Sequence, residues 1–195
     1  MILDAASNMQ DPNEGVLFGQ AYLSEWIERC QEDRNDIVTP DAVAIGSVIH
    51  AWVESGLPEA PHRADEWMNV CTEYLKLQPT TQLYTSVIAA WAKVGKSQRA
   101  QDWMDRMEEN NVDIDLAAWN GLLLAYAHSA ASISSQSESP ARRAEGVLKH
   151  MLRLYDTKKL AEAPDVVSYS IVLDAWSKQV SKDSNAREKK QSAHK

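Results

Sequence analysis

The sequence predicts an all-α solenoid of stacked antiparallel helix-turn-helix repeats. A helical phrase recurs four times: Ile45-Gly-Ser-Val-Ile-His-Ala-Trp52, Tyr84-Thr-Ser-Val-Ile-Ala-Ala-Trp91, Trp119-Asn-Gly-Leu-Leu-Leu-Ala-Tyr126 and Tyr169-Ser-Ile-Val-Leu-Asp-Ala-Trp176. Each copy places apolar residues at i, i+3, i+4 and i+7, the spacing of one buried helical stripe. A second amphipathic segment accompanies each copy or precedes it. Self-similarity at this period marks a repeat array, in which each unit buries its apolar face against its neighbours.

Start signals precede the phrases. They are Thr39-Pro-Asp41, Pro79-Thr-Thr81, Asp113-Ile-Asp115 and Pro164-Asp165. Proline disfavours helix in the residue before it, and Asp or Thr caps the helix that follows. Gly56 and Gly95 stand where two of these helices should stop. The second helices align as Arg63-Ala-Asp-Glu-Trp-Met-Asn-Val-Cys71, Arg99-Ala-Gln-Asp-Trp-Met-Asp-Arg-Met107 and Arg143-Ala-Glu-Gly-Val-Leu-Lys-His-Met151. Leu23-Ser-Glu-Trp-Ile-Glu-Arg-Cys30 is a fourth copy. Ala64, Ala100 and Ala144 share a slot where a small side chain permits close helix crossing.

The expected order along the chain follows. Residues 1–15 are a disordered N-terminal segment, and 16–41 supply the second helix of an incomplete repeat. Residues 42–80, 81–115 and 116–165 are repeats. The last carries a Ser-rich insertion at 129–140, expected to be disordered because it offers little to pack. Residues 166–181 form the first helix of an incomplete repeat, and 182–195 a basic polar tail. On this expectation the chain is a fragment of a longer array.

Composition narrows the function. The formal net charge is −8. The last eighteen residues carry six Lys/Arg and two acids, so the remaining body carries −8 − 4 = −12. An acidic body argues against nonspecific nucleic-acid binding over a broad basic surface, but leaves room for a local groove. Cys30 and Cys71 occupy one slot in successive second helices, filled later by Met107 and Met151, and so read as small buried hydrophobes. No apolar run approaches the roughly 20 residues that span a bilayer. The N-terminal residues lack the arginines and apolar core of a targeting peptide. The five histidines show no paired-ligand spacing. There is no Gly-rich phosphate loop, no Cys-x-x-Cys and no nucleophile motif. No enzyme, cofactor or metal is expected.

The run Pro164-Asp-Val-Val-Ser-Tyr-Ser-Ile-Val-Leu-Asp-Ala-Trp-Ser-Lys178 resembles the opening of a pentatricopeptide repeat. Tyr84 to Asp115, with Ala90-Trp-Ala-Lys-Val-Gly95 and Met104-Asp-Arg-Met107, resembles a complete unit of that family. Tetratricopeptide repeats share the hairpin, but they usually place Gly inside the first helix, where this chain has Ala51, Ala90, Ala125 and Ala175.

The resemblance implies a right-handed superhelix that binds single-stranded RNA in a groove lined by first helices, one base per repeat. The base-reading residues it implies are Gly46 with Thr80, Thr85 with Asp115, and Asn120 with Asp165, with Ser170 opening an unfinished repeat. By the family's pattern Thr with Asp reads guanine and Asn with Asp reads uracil. Gly46 with Thr80 is assigned no base. Base-sandwiching slots fall at Val43, Gln82, Ala117 and Val167. Val43 and Val167 match the family's aliphatic preference, whereas Gln82 and Ala117 depart from it. Lys93 and Lys178 match its phosphate-contacting lysine, a slot filled elsewhere by Glu54 and His128. A role in organellar RNA processing, stability or translation is implied, in mitochondrion or plastid. The alternative function is a protein-interaction scaffold that uses the same groove. The expected partner is single-stranded RNA, with a protein as the alternative. No membrane is involved, and the chain is expected to be a monomer.

Overall fold

The structure, a computed structural model, describes residues 12–32, 38–129 and 139–192. Every regular element among them is helical. These are α1 (Pro12–Glu32), α2 (Ala42–Ser55), α3 (Ala60–Asn69, continued by a π turn at Val70–Tyr74), α4 (Thr81–Lys93), α5 (Ser97–Glu109), α6 (Leu116–His128), α7 (Pro140–Asp156) and α8 (Val166–Ser192). The all-α solenoid class expected from the sequence is the class found.

The chain forms two compact units, residues 1–90 and 91–195, divided within α4. In the first, α2 packs against both α1 and α3. In the second, α6 packs on α5, α7 and α8, and α7 packs on α8. A first helix thus meets the second helix before it, its own second helix and the next first helix, as stacked repeats require.

Capping explains where the first helices begin. Asp41, Asp115 and Asp165 each accept, through one side-chain oxygen, the N–H three residues on: Ala44 at 2.9 Å, Ala118 at 2.8 Å and Ser168 at 2.9 Å. Thr80 does the same for Leu83 at 3.3 Å. Each satisfies one of the unpaired donors at a helix start. Gly56 and Gly95 end α2 and α4 in the left-handed region, both at φ +67°. The second helices end in the same conformation without glycine, at Lys76, Asn111 and Lys158. Behind the latter two, Val112 N–H bonds Met107 C=O at 2.9 Å and Lys159 N–H bonds Leu154 C=O at 2.8 Å. These bonds close Schellman-type ends.

The recurring stripes form the core. Ile45, Ile49 and Trp52, then Tyr84, Val87 and Ile88, then Trp119, Leu122 and Leu123 are all buried. The second helices answer with Ala64, Trp67 and Met68, with Ala100, Trp103 and Met104, and with Ala144, Leu148 and Met151. Gln20 Oε1 accepts from two indoles, Trp52 Nε1 at 3.0 Å and Trp67 Nε1 at 3.4 Å. The aligned arginines cover the terminal tryptophans: Arg63 lies 5.9 Å from the Trp52 ring centroid and Arg99 lies 5.6 Å from that of Trp91.

Three expectations need adjustment. In the last phrase Val172 and Ala175 are buried, but Tyr169 is 44% and Leu173 68% exposed. At the same positions of the earlier phrases Ile45 and Ile49, Tyr84 and Ile88, and Trp119 and Leu123 are buried, and no further helix follows α8 among the described residues. Residues 12–15, expected to be disordered, begin α1 with Pro12. The helix opened by Val166 continues to Ser192, through most of the stretch read as a polar tail. The expectations for residues 1–11, for 130–138 of the Ser-rich insertion and for 193–195 lie outside the described residues.

Candidate nucleic-acid interface

The candidate base-reading residues occupy two positions in the local fold. One sits on a first helix, one turn inside its start. The other is the cap of the next first helix. A cap's side chain is oriented by the N–H it accepts, so the fold fixes the second reader before any ligand is present.

In the first unit the structure brings Gly46 and Thr80 together with Val43 and Gln82. These four line a cleft of about 420 Å³ between α2 and the start of α4. Val43 and Gln82 are exposed, as sandwiching slots must be, and buried Leu83 contributes to the lining. Gly46 adds no side chain. Thr80 Oγ1 accepts from Leu83 N–H, which leaves its hydroxyl proton for a ligand.

In the second unit Asn120 and Asp165 meet across 45 residues. Asn120 Nδ2 donates to Asp165 Oδ1 at 3.4 Å. Ser168, fully buried, bridges them: its hydroxyl donates to Asn120 Oδ1 at 2.6 Å and lies 3.0 Å from Asp165 Oδ1. The Ser168 backbone N–H holds the Asp165 carboxyl below the ordinary aspartate range, so it is ionised at neutral pH. Both flanking slots are open: Ala117 is exposed and Val167 is 52% exposed. The extra residues of this repeat therefore do not separate its reader pair.

Thr85, half-buried on α4, donates its hydroxyl to the Thr81 carbonyl. It belongs to the first unit, and its assigned partner Asp115, exposed at the start of α6, belongs to the second. Ser170 is exposed and donates to Val166 C=O at 2.7 Å. Lys93 is exposed in the last turn of α4. Lys178 pairs with Asp174 at 2.6 Å, both more than half exposed. Such a surface pair is weak and can exchange for another anion.

A wider cleft of about 1360 Å³ lies between α5 and α7, with Trp119, Leu122 and Tyr126 among its lining residues. Arg143 Nε and Nη2 are buried there without hydrogen-bond partners. Burial pushes the Tyr126 hydroxyl up, partly offset by the Arg143 charge. Both cysteines are thiols, and burial raises Cys71. Among the described residues no cluster of His, Cys, Asp or Glu could hold a metal ion, and no helix is long and apolar enough to cross a membrane.

With this geometry in view, the comparisons are direct. The family profile for the PPR repeat matches residues 83–112, which span most of α4, its turn and α5. Residues 83–112 are thus similar to one pentatricopeptide repeat unit. The chain is also similar to the small ribosomal subunit protein mL103 (rPPR7) of Arabidopsis thaliana, 24% identical over 143 residues. That match covers 73% of this chain and 30% of the relative, so the chain spans about a third of the relative's length.

Sequence reasoning did not find Ser168, although a signal existed. It is a hydroxyl at the third position of a repeat, where Ala44, Leu83 and Ala118 stand in the others. Nor did it find the arginines above the aromatics, although the alignment of Arg63 with Arg99 was visible.

Proposed function

We propose that this chain is a single-stranded RNA-binding module of the pentatricopeptide repeat family that reads one base per repeat. It serves RNA processing, stability or translation in an organelle, mitochondrion or plastid. The observation that carries this reading is the contact of Asn120 with Asp165 between the open slots Ala117 and Val167. A base inserted there would stack between the two slots, and stacking is worth roughly 1–3 kcal/mol per base on larger platforms. Its pairing edge would meet an amide and an ionised carboxylate. Thr85 with Asp115 would read guanine and Asn120 with Asp165 uracil, giving G then U from 5′ to 3′. Repeats 42–80, 81–115 and 116–165 are the reading units. The similarity to a small ribosomal subunit protein supports an RNA-associated setting.

The second reading is a protein-interaction scaffold using the same groove. It is favoured by the −12 body and by Gln82 and Ala117, which depart from the aliphatic stacking preference. Mobility shift with single-stranded RNA pools at low and moderate salt separates the two. The RNA reading predicts a shift at low salt that weakens as salt rises. No shift at any salt refutes it.

A further inference from the structure

Ser168 is the third residue of its repeat, in the first turn of α8. Its hydroxyl has one proton to give. Two acceptors lie near it, Asn120 Oδ1 at 2.6 Å and Asp165 Oδ1 at 3.0 Å. The second is already served by the Ser168 backbone N–H at 2.9 Å, and Asp165 N–H donates back to Oγ at 3.3 Å. The proton therefore goes to Asn120. The amide oxygen becomes an occupied acceptor, and Nδ2 is the end left toward Asp165 and solvent.

The same relation recurs in the first unit. A Cβ added at Gly46 would meet the Leu83 side chain at 3.6 Å, and Leu83 is the third residue of the next repeat. The third residue of one repeat thus touches the reader slot of the repeat before it. At Ser168 that contact is a hydrogen bond.

We infer that Ser168 is a positioning residue that fixes the Asn120 amide as a donor and so selects the keto base uracil over the amino base cytosine. The inference rests on the RNA-reading role of Asn120 and Asp165. Uracil presents a carbonyl beside a ring N–H on its pairing edge. The Asn120 Nδ2–H fits the carbonyl, and the free Asp165 Oδ2 fits the ring N–H. Cytosine presents an amino group beside an unprotonated nitrogen, which sets donor against donor and lone pair against carboxylate. Without the Ser168 hydroxyl, only the long 3.4 Å bond to Asp165 restrains the amide.

The test is selection from a randomised single-stranded RNA pool, with sequencing of the bound fraction. It uses the wild-type chain, Ser168→Ala, Ser168→Thr and Ser168→Cys. The wild type enriches a uracil position. Ser168→Ala lowers the U:C ratio there by roughly fivefold, the worth of one net hydrogen bond. Ser168→Thr, which keeps the hydroxyl, restores the ratio. Ser168→Cys, nearly isosteric and a weak donor, lowers it as Ala does and guards against a folding defect. An Ala or Cys variant that binds with the wild-type U:C ratio overturns the inference, as does equal weakening toward all pools with the ratio kept. A wild-type chain that enriches no base at any position overturns instead the RNA reading beneath it.

Discussion

Gly95→Ala should destabilise the chain well beyond Gly56→Ala, although both glycines sit at φ +67° after a first helix. The shared backbone conformation costs an L-residue about 1–2 kcal/mol in each. The surroundings differ. A Cβ on Gly56 meets nothing within 4 Å. A Cβ on Gly95 would lie 2.5 Å from the His128 carbonyl oxygen and 2.9 Å from its carbonyl carbon. That neighbour is backbone at the end of α6 and cannot swing aside, so the turn or the helix end must move. Overpacking of this kind costs typically 1–3 kcal/mol. The expected losses are therefore about 1–2 kcal/mol for Gly56→Ala and about 2–5 kcal/mol for Gly95→Ala. Urea unfolding followed by tryptophan fluorescence measures both, as midpoint shifts at unchanged m. Equal losses would mean that the α4–α5 turn does not approach α6 as described, and the close stacking of successive hairpins would be wrong at that point.

Other predictions follow from single contacts. Gln20→Leu leaves the indole N–H groups of Trp52 and Trp67 unpaired and should cost about 2 kcal/mol by the same urea assay. Lys158→Gly and Lys76→Gly relieve left-handed strain and should each stabilise by about 1 kcal/mol, read as a rise in melting temperature. Arg143→Met removes two buried, unpartnered guanidinium nitrogens and should be neutral or stabilising, whereas Arg99→Met loses its place over Trp91 and should cost about 0.5–1 kcal/mol in thermal melts. Asp165 has a folded-state pKa below its unfolded value, so its contribution is present above the ordinary aspartate range and is lost as pH falls through the lower folded value. In acid titrations below about pH 4, wild type should lose stability more steeply than Asp165→Asn.

The helical class and the helix starts were legible because their causes are local. Pro-Asp junctions set the caps at Asp41 and Asp165, Asp113-Ile-Asp115 set the cap at Asp115, and the i, i+3, i+4, i+7 stripe set the buried face. The exposure of Tyr169 and Leu173 was not legible, because burial depends on which helix follows and not on the stripe itself. The second-helix ends were missed for a different reason. Lys76, Asn111 and Lys158 adopt the left-handed conformation in which glycine is the usual signal. At the candidate interface, the pairing of Asn120 with Asp165 followed from the family resemblance, and the structure places the two in contact. The bridging Ser168 required knowing that the third residue of one repeat touches the reader slot of the one before, a relation no single repeat displays.

The central claim is that the first-helix readers and the caps that follow them recognise bases. Asp165→Asn tests it most directly, because asparagine caps a helix as well as aspartate does and the fold should hold. The substitution replaces an acceptor that fits the ring N–H of uracil with an amide that can donate to the bare ring nitrogen of cytosine. Selection from a randomised single-stranded RNA pool should show one position changing from uracil toward cytosine, with every other preference kept. A variant that remains folded, binds RNA and leaves all base preferences as in wild type would contradict the account.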